Sequence, residues 1–579
     1  MTIYPFLLAI GLPLVMALAL IWPAARAMVW RMMPLAAVPA LALALLGGAP
    51  VSMRGDWLVL GLTMGLDEIS RLFVIFTATL WMAAGAAARH WMRDDPRATS
   101  FGVVFLMAMS GNIGLILSQD AVAFYAAFAM MSFASYGLVI HSRSAAAQGA
   151  ARTYIGFVIL GELALFAGLA LATAQAGSIL LADLRAAELS GIAVALILLG
   201  FGVKLGVMPL HFWLPPAHGA APAPASAVLS GAMIKAGLFG MIATLPLGLA
   251  AYAELATVMM AAGMVTIFAA LLLGVQQDNP KTVLGFSSVS QMGIIALGLG
   301  AGLMVPAAWS AILPVLVFLA AHHALAKGAL FLGTGAFAVQ GSRGARVLIA
   351  AALLLPALVL AGLPFGSGAL GKEALKAALY AGSEVWLPWL TLALTLSGVA
   401  TTLLMARFAA LLWLNPPKAP TARPDALALP FVTIAGASVG LPLIWPVLAQ
   451  DLATPIEGAA PGALWPLALG VAIALGVAVH AYALRIGPAQ FLAMLGAPYL
   501  ALAQRAANHG AAKRRAARCL AHAVPRVLAE RALAWRLGQT AIAALIALVL
   551  AVEMVPLLWA DEVPAPAAPT IFDVLQGMN

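Results

Sequence analysis

The chain has few charged residues and almost no cysteine. Only 9% of its 579 residues are Asp, Glu, Lys or Arg, against about a quarter in soluble domains, which excludes an ordinary soluble fold. The single cysteine, Cys519, cannot form an internal disulfide, hold an iron–sulfur cluster or complete a closed zinc site. We therefore expect no cofactor and no metal in this chain, and any redox chemistry connected with it belongs to a partner.

The sequence instead consists largely of long apolar segments. Hydrophobic residues make up 64% of the chain, and apolar windows of about 20 residues, enough to cross a ~30 Å hydrocarbon core, recur throughout. The windows are continuously apolar rather than alternating, which indicates helices and not barrel strands. We predict an all-α polytopic membrane protein of about 16 transmembrane helices. The predicted spans are 3–22, 29–48, 66–88, 101–118, 121–140, 153–175, 190–210, 221–248, 255–275, 283–302, 308–338, 346–382, 386–413, 428–448, 463–484 and 538–559.

Basic residues between the spans predict an orientation. The loops after odd-numbered spans carry arginine and lysine, whereas the loops after even-numbered spans are neutral or acidic. By the positive-inside rule the basic loops are cytoplasmic, so we expect the N-terminus outside and a multi-pass protein in the inner (plasma) membrane. These basic residues are Arg26, Arg31, Arg89, Arg93, Arg97, Arg143, Arg152, Lys281, Arg343, Arg346, Lys418 and Arg423.

The segment 485–537 differs from the rest of the chain. It carries nine basic residues against one acid, Glu530, with leucine, alanine and tryptophan between them. This pattern predicts an amphipathic helix on the cytoplasmic membrane surface, and a solvated basic loop before the last helix is the alternative. The last helix and an acidic, Pro/Ala-rich tail make up residues 538–579.

Ionisable residues inside apolar windows are the candidate functional residues. Lys204, Lys235, Lys327, Lys372 and Glu162 all lie within predicted spans. A charge at the bilayer centre costs a few kcal/mol, so such a residue faces a bundle interior or a water-filled cavity. Lysine can lose its proton when it is buried, whereas arginine stays charged. These lysines are therefore candidate proton carriers.

Sequence spacing suggests which of these residues lie together. Lys204 and His211 are seven residues apart, which predicts one face of a single helix, and His323 and Lys327 are four apart, which predicts the same.

A second group of candidates lies near helix breaks. Lys372 and Glu373 lie in the window 346–382, which GLPFGSG at 362–368 interrupts and which we interpret as a broken helix. His218 follows a Pro-Pro break and is a candidate for proton transfer or for ordering that loop. His322 is expected to pack, because only one of two adjacent histidines can face the Lys327 side.

Four motifs resemble one membrane-protein family. VKLGVMPLHFWLPPAH at 203–218 with PAPASAVLSGAMIKAGLFG at 222–240 is similar to the seventh and eighth helices of antiporter-like subunits. These subunits occur in respiratory complex I, in Mrp-type cation/proton antiporters and in energy-converting hydrogenases. The sequence of the eighth helix is most similar to that of the large subunit of hydrogenase-4 and formate hydrogenlyase complexes. Further matches are QQDNPKTVLGFSSVSQMG at 276–293, HALAKGALFLGTG at 323–335 and GLPFGSGALGKE at 362–373.

The resemblance implies a fold and a set of roles. It implies two inverted five-helix repeats, each with a broken helix, within a core at 101–410, with flanking helices at 1–100 and 411–484. By position, Lys204 would be the central lysine of one half-channel and Lys235 the bridging lysine. His323 and Lys327 would continue the proton path to Lys372 at its end.

The chain departs from the family pattern in two places. The fifth helix of the family bears a glutamate that pairs with the central lysine, but FAMMSFASYGLV at 128–139 places Ala129 there. Glu162, one helix onward, is our hypothesis for a substitute partner of Lys204. In addition, the family's WLPDAH is WLPPAH here, with Pro216 in place of the acid.

The leading hypothesis is a proton-translocating subunit of a multi-subunit, redox-driven membrane complex. Its partners would be other membrane subunits, a soluble module on the cytoplasmic side, lipids and protons, and we expect no nucleic acid. Exchange of Na⁺ for H⁺ in an Mrp-type assembly is an alternative, although Na⁺ needs oxygen ligands and buried acids are few. A membrane subunit that energises inorganic-carbon uptake would have a similar sequence. The missing acid also permits a degenerate subunit that acts only as a scaffold, but the series of lysines within the predicted spans argues against this alternative.

Overall fold

The protein is mainly helical, as the apolar windows predict, because a backbone in hydrocarbon must satisfy its hydrogen bonds within the helix. The computed structural model describes residues 3–47, 51–55, 62–380, 385–414, 425–450 and 463–483, all of which lie within one compact unit. The helices are α1 (Tyr4–Ala19), α2 (Pro23–Met32), α3 (Val38–Leu46), α4 (Glu68–Trp91), α5 (Ala98–Leu117), α6 (Ala121–Val139), α7 (Ala145–Ala176), α8 (Leu181–Ala186), α9 (Gly191–Leu205), α10 (Leu214–Ala220), α11 (Ala223–Val228), α12 (Lys235–Thr244), α13 (Ala253–Gly274), α14 (Pro280–Met304), α15 (Trp309–Ala338), α16 (Arg343–Ala361), α17 (Ser367–Leu379), α18 (Leu387–Leu414), α19 (Asp425–Leu448) and α20 (Trp465–Ala483).

The predicted spans correspond to these helices. Among the described residues, 12 helical runs are long and apolar enough to cross a membrane, and three shorter apolar helices join them. Each predicted span up to 463–484 overlaps one of these fifteen. The predicted span 538–559 and the basic segment 485–537 lie outside the described residues, so the count of 16 stays a prediction, as do the two inverted repeats.

A small β-hairpin is the element that the all-α prediction did not include. Strands β1 (Val51–Gly55) and β2 (Leu62–Leu66) pair antiparallel before α4. The buried Asp120 carboxylate holds this hairpin, because it accepts hydrogen bonds from the Thr63 N–H (2.8 Å) and from the Ala123 N–H at the start of α6 (2.7 Å). One side chain therefore caps a helix and fixes a strand.

Three interruptions shape the centre of the helix bundle. Helix α9 ends at Gly206, whose φ of 76° is left-handed, and turns connect it to α10. A π-helical turn at Leu229–Met233 separates α11 from α12. The window 346–382 breaks after Ala361, where Gly362 has a φ of 105°, and resumes at Ser367. The broken helix that the sequence predicted here is confirmed.

Glycines bring neighbouring helices into close contact at the core. A Cβ atom on Gly263 of α13 would lie 2.9 Å from the Gly293 carbonyl oxygen of α14, and a Cβ on Gly293 would lie 2.7 Å from the Gly263 carbonyl. Small residues permit this approach, which supplies van der Waals contact where lipid offers no hydrophobic driving force. Helices α12, α14 and α15 are almost completely buried, so a polar group on them faces protein and not the outside.

Candidate functional site

Four buried lysines lie on four different helices of the bundle. Lys204 lies on α9, Lys235 on α12, Lys327 on α15 and Lys372 on α17, and none of these side chains is more than 6% exposed. Each lies within an apolar helix, where an amine without polar neighbours is costly. The polar contacts of each lysine therefore define the site.

Lys204 contacts a serine on the helix where the family's glutamate was expected. Its Nζ donates a hydrogen bond of 3.1 Å to Ser132 Oγ on α6, and it lies 5.5 Å from the centre of the Phe128 ring. The Tyr154 hydroxyl donates to the Ser132 carbonyl oxygen at 2.8 Å, which fixes that turn of α6. Ser132 follows Ala129 by three residues, which is about one turn of helix. The Ser132 hydroxyl therefore lies close to the position at which the family has its glutamate.

Glu162 lies on α7 and is buried beside the same group. Its carboxylate is near enough to Lys204 and Ser132 to interact with both electrostatically, but neither carboxylate oxygen makes a hydrogen bond with a described residue. The ion pairs of the described residues do not include a Glu162–Lys204 contact within 4.0 Å. Glu162 and Lys204 are therefore electrostatic neighbours without a direct contact, and the partnership proposed from the sequence stays a prediction.

The helical spacing argument for His211 was wrong. Helix α9 ends at Leu205, because Gly206 adopts a left-handed conformation and its N–H caps the Gly202 carbonyl. His211 therefore lies in the turn-rich connection to α10, and its ring is 4.4 Å from the centre of the Phe212 ring. It is buried, but it does not share a helix with Lys204.

Lys235 and His323 are in direct contact. The Nζ of Lys235 donates to the Ser230 carbonyl oxygen at 2.5 Å and meets Nδ1 of His323 on α15. Two cations cannot share a hydrogen bond, because each would offer only donors. One of these two groups must therefore be neutral, and gain or loss of a proton here changes the contact.

Serine side chains connect Lys235 to Lys327. The hydroxyls of Ser230, in the π-helical turn, and Ser288, on α14, are 2.8 Å apart. Ser288 Oγ and Lys327 Nζ both donate to the Leu284 carbonyl oxygen, each at 3.0 Å. The irregular turn before α12 thus presents the Ser230 carbonyl to Lys235 and the Ser230 hydroxyl to Ser288, which shares the Leu284 carbonyl with Lys327.

His218 lies beside this connection. It is fully buried on α10, against the Phe331 ring at 4.9 Å, and neither ring nitrogen has a hydrogen-bond partner among the described residues. Lys235, Lys281 and Lys327 are close enough to act on it electrostatically. Its position is compatible with proton transfer, and its role stays a prediction.

Lys372 and Glu373 point to different surroundings. Lys372 is buried, and its Nζ makes no hydrogen bond within the described part of the chain. Glu373 instead forms an ion pair of 2.8 Å with Lys376, one turn further along α17, where both side chains are partly exposed. Because adjacent residues on a helix diverge by about 100°, the acid next to Lys372 in sequence pairs with another lysine.

The contact of His322 with the broken helix is one that sequence reasoning missed. The Nδ1 atom of His322 lies 2.7 Å from Ser367 Oγ at the start of α17, so the ring contacts the broken helix as well as packing. Ser132, Ser230 and Ser288 were missed in the same way. Serines in apolar helices are common, and no feature of these residues distinguishes them until the facing helix is known.

The fold and the site define a class: a multi-pass membrane protein with a series of buried lysines through its core. Residues 118–400 match the family described as NADH:quinone oxidoreductase/Mrp antiporter, TM. This match confirms the resemblance to antiporter-like subunits that the motifs show.

Individual relatives extend this match. The chain is 32% identical over 290 residues to hydrogenase-4 component B of Escherichia coli K12, which covers 48% of this chain and 43% of that protein. It is 34% identical over 248 residues to NAD(P)H-quinone oxidoreductase chain 4 2 of Thermosynechococcus vestitus, which covers 41% and 46% respectively. The chain thus spans less than half the length of these two relatives.

A solved structure shares the fold. A chain of the Mrp complex from Dietzia sp. DQ12-45-1b superposes with a TM-score of 0.67 at 22% identity, covering 79% of this chain and 99% of that one. At this identity the likeness shows the fold alone. The family match at residues 118–400 includes the helices that carry the four buried lysines.

Proposed function

We propose that this chain is the proton-translocating, antiporter-like subunit of a multi-subunit, redox-driven membrane complex. The observation that carries the proposal is the series of buried amines and imidazoles on α9, α12, α15 and α17, of which Lys235, His323 and Lys327 are connected by direct, hydroxyl and carbonyl contacts. Membrane insertion disfavours such groups, so their presence needs a function that uses charge inside the bundle.

Electrostatic interactions between the buried charges provide a means of proton transfer along the lysine series. Two ammonium groups in a low-dielectric interior repel each other, so protonation of one lysine disfavours protonation of the next. A proton on Lys235 therefore disfavours a proton on Lys327, whereas the nearby Glu162 carboxylate favours a proton on Lys204. A change at one end of the series then propagates along it without covalent chemistry in this chain.

The proposal includes an assembly and an orientation. The partners are other membrane subunits and a soluble module on the cytoplasmic side that supplies the driving reaction, with lipid around the bundle. The N-terminus lies outside and the membrane is the inner (plasma) membrane, as the basic loops favour. The relatives support this setting, because their names place them in a hydrogenase and in a quinone oxidoreductase.

Exchange of Na⁺ for H⁺ is the second candidate, and the Mrp complex among the structural neighbours favours it. Sodium requires oxygen ligands, and the buried carboxylates of the described residues are Asp120 and Glu162. The Asp120 carboxylate already accepts hydrogen bonds from two backbone N–H groups, that of Thr63 in the hairpin and that of Ala123 at the start of α6. One remaining carboxylate, close to an amine, favours protons over sodium.

The test is transport by the complex purified with its native partners and reconstituted into vesicles. We expect the driving reaction to build a pH gradient, reported by a pH-sensitive dye, and Lys204→Met and Lys235→Met to lower its initial rate about tenfold or more. Arg343→Ala, an exposed basic position on α16, is the matched control and leaves the rate unchanged. A pH gradient that both lysine variants build at the normal rate contradicts the proposal, and uptake of labelled Na⁺ that requires Lys204 supports the sodium alternative.

A further inference from the structure

A groove between α16 and α18 lies apart from the lysine series. Its volume is about 330 Å³, and its walls are formed by residues within 347–357 of α16 and 405–413 of α18. Each lining residue is Ala, Val, Leu, Met, Phe or Trp. Such walls offer no ion pair and almost no hydrogen bond that could orient a polar ligand, so the groove suits an apolar occupant.

Small side chains open this groove. Leu353 and Phe408 are buried at its floor, whereas Leu354 and Trp413 are exposed at its rim. Between them the lining residues include four alanines, at positions 350, 351, 357 and 409. An empty space of this size would forfeit the dispersion contacts of its walls, so the membrane-embedded groove needs an occupant that fills it.

The two helices run antiparallel along the groove. A Cβ atom on Gly398, in the middle of α18, would lie 3.5 Å from the Ala361 carbonyl oxygen at the end of α16. The groove pairs earlier residues of α16 with later residues of α18, so the first turns of α16 lie beside the last turns of α18. At 1.5 Å per residue the groove extends about 15 Å along α16. This length is half of a ~30 Å hydrocarbon core, which is the depth of one leaflet.

A cation and an aromatic ring lie at the end of the groove where α16 begins. Arg346 precedes the lining residue Val347 and is one helical turn from Ala350, on the same side of α16. Its side chain is partly exposed and makes neither an ion pair nor a hydrogen bond with any described residue. Trp413 is at the same end, as is typical of tryptophan at the level of the lipid headgroups. The basic loops predict that this end is cytoplasmic, where the leaflet carries anionic lipids.

We propose that the groove between α16 and α18 binds an anionic phospholipid, with one acyl chain between the two helices and the phosphate on Arg346. A transmembrane helix is a poorer fit, because a helix about 10 Å across occupies roughly 1,300 Å³ over three turns, about four times the volume of the groove. The site is additional to the proposed function and does not depend on it.

The first test identifies what touches the groove in the complex with its native partners. A photo-reactive benzoylphenylalanine replaces either Leu354, which lines the groove and is 50% exposed, or Leu355, which does not line it and is 51% exposed. After irradiation in native membranes, mass spectrometry identifies the adducts. We expect position 354 to carry an anionic phospholipid several times more often than position 355. A peptide adduct at 354, from residues 538–559 or from another subunit, overturns the proposal, and so does equal lipid labelling at both positions.

The second test addresses the contact between Arg346 and the phosphate. The complex with the probe at 354 is reconstituted into vesicles of equal amounts of phosphatidylglycerol and phosphatidylcholine with identical acyl chains. We expect phosphatidylglycerol to be labelled about fivefold more often, because one arginine near the membrane surface favours an anionic headgroup by about that factor. Arg346→Gln should remove this preference. Arg31→Gln, at an exposed basic residue near the end of α2, is the matched control and should retain it. Labelling without a preference when Arg346 is present, or a preference that survives in Arg346→Gln, contradicts the proposed site.

Discussion

Lys204 on α9 donates a 3.1 Å hydrogen bond to Ser132 on α6, across 72 positions of sequence. The hydroxyl stands one turn from Ala129, where the resemblance to antiporter-like subunits implies a glutamate. Glu162 on α7 lies close to the same pair. The Lys204 amine is therefore in direct contact with a neutral hydroxyl, that of Ser132. The Glu162 carboxylate, from another helix, is its electrostatic neighbour.

Loss of the Glu162 charge is expected to weaken proton coupling. Glu162→Gln keeps the shape of the side chain but removes the negative charge that favours a proton on Lys204. The initial rate of pH-gradient formation by the reconstituted complex should fall about tenfold or more. Glu254→Gln, an exposed acid at the start of α13, is the control and should be neutral. Undiminished coupling in Glu162→Gln would falsify the substitution of Glu162 for the missing acid.

The contact between Lys235 and His323 predicts a second effect. His323→Gln keeps polar atoms on that face of α15 but cannot exchange a proton with the amine, so translocation should decrease about tenfold or more. The measurement is the same dye assay, with the driving reaction followed in parallel. Thr334→Val serves as the control, because the Thr334 hydroxyl is buried on α15 and its one hydrogen bond among the described residues is to the Leu330 carbonyl. A normal gradient in His323→Gln, or an equal loss in Thr334→Val, would count against a specific role.

The break after α9 depends on one left-handed residue. Gly206 has a φ of 76°, and a Cβ atom there would lie 2.7 Å from Leu214 Cδ1. Gly206→Ala should therefore lower the free energy of unfolding by about 1–2 kcal/mol through the backbone conformation alone, which thermal unfolding of the purified protein in detergent would detect. Gly149→Ala, in the second turn of α7 with no atom within 4 Å of the added carbon, should be neutral or slightly stabilising. Equal melting temperatures for the two variants would contradict this account.

A hydrogen-bonded contact between Asp95, in the loop between α4 and α5, and His141, just after α6, predicts a dependence of stability on pH. Burial raises the pKa of Asp95, but the Arg97 backbone N–H and the His141 side chain, 3.0 Å away, outweigh it and hold that pKa below its ordinary value of 3.8. A carboxylate with a depressed folded pKa stabilises the fold above its unfolded pKa, and this contribution disappears as the pH falls through the folded value.

Asp95→Asn should therefore melt at a lower temperature than the wild type near neutral pH, and the difference should vanish in acid below the folded pKa of Asp95. Asp94→Asn, at the exposed neighbouring position, is the matched control and should show no such trend. A difference between Asp95→Asn and wild type that stays constant with pH would show that the ion pair is not its source.

The helices and the buried lysines could be predicted from the sequence, because both follow from local composition. Long apolar windows must become helices in hydrocarbon, and Lys204, Lys235, Lys327 and Lys372 are conspicuous within them. The break at 362–366 could also be predicted, since Gly and Pro interrupt an apolar window there. The positions of Lys204 and His211 on different elements could not be predicted, because one left-handed glycine, Gly206, ends α9 between them.

The partners of those lysines were decided only by the tertiary structure. Ser132, His323 and Ser288 come from helices far along the chain, and a serine on an apolar helix shows no sign of what faces it. The neighbours Lys372 and Glu373 differ for the same reason, since a helix turns adjacent side chains toward different surroundings. Composition determined that charges lie inside this membrane protein, whereas helix packing, through close glycine contacts and three breaks, decided which polar atoms each charge meets.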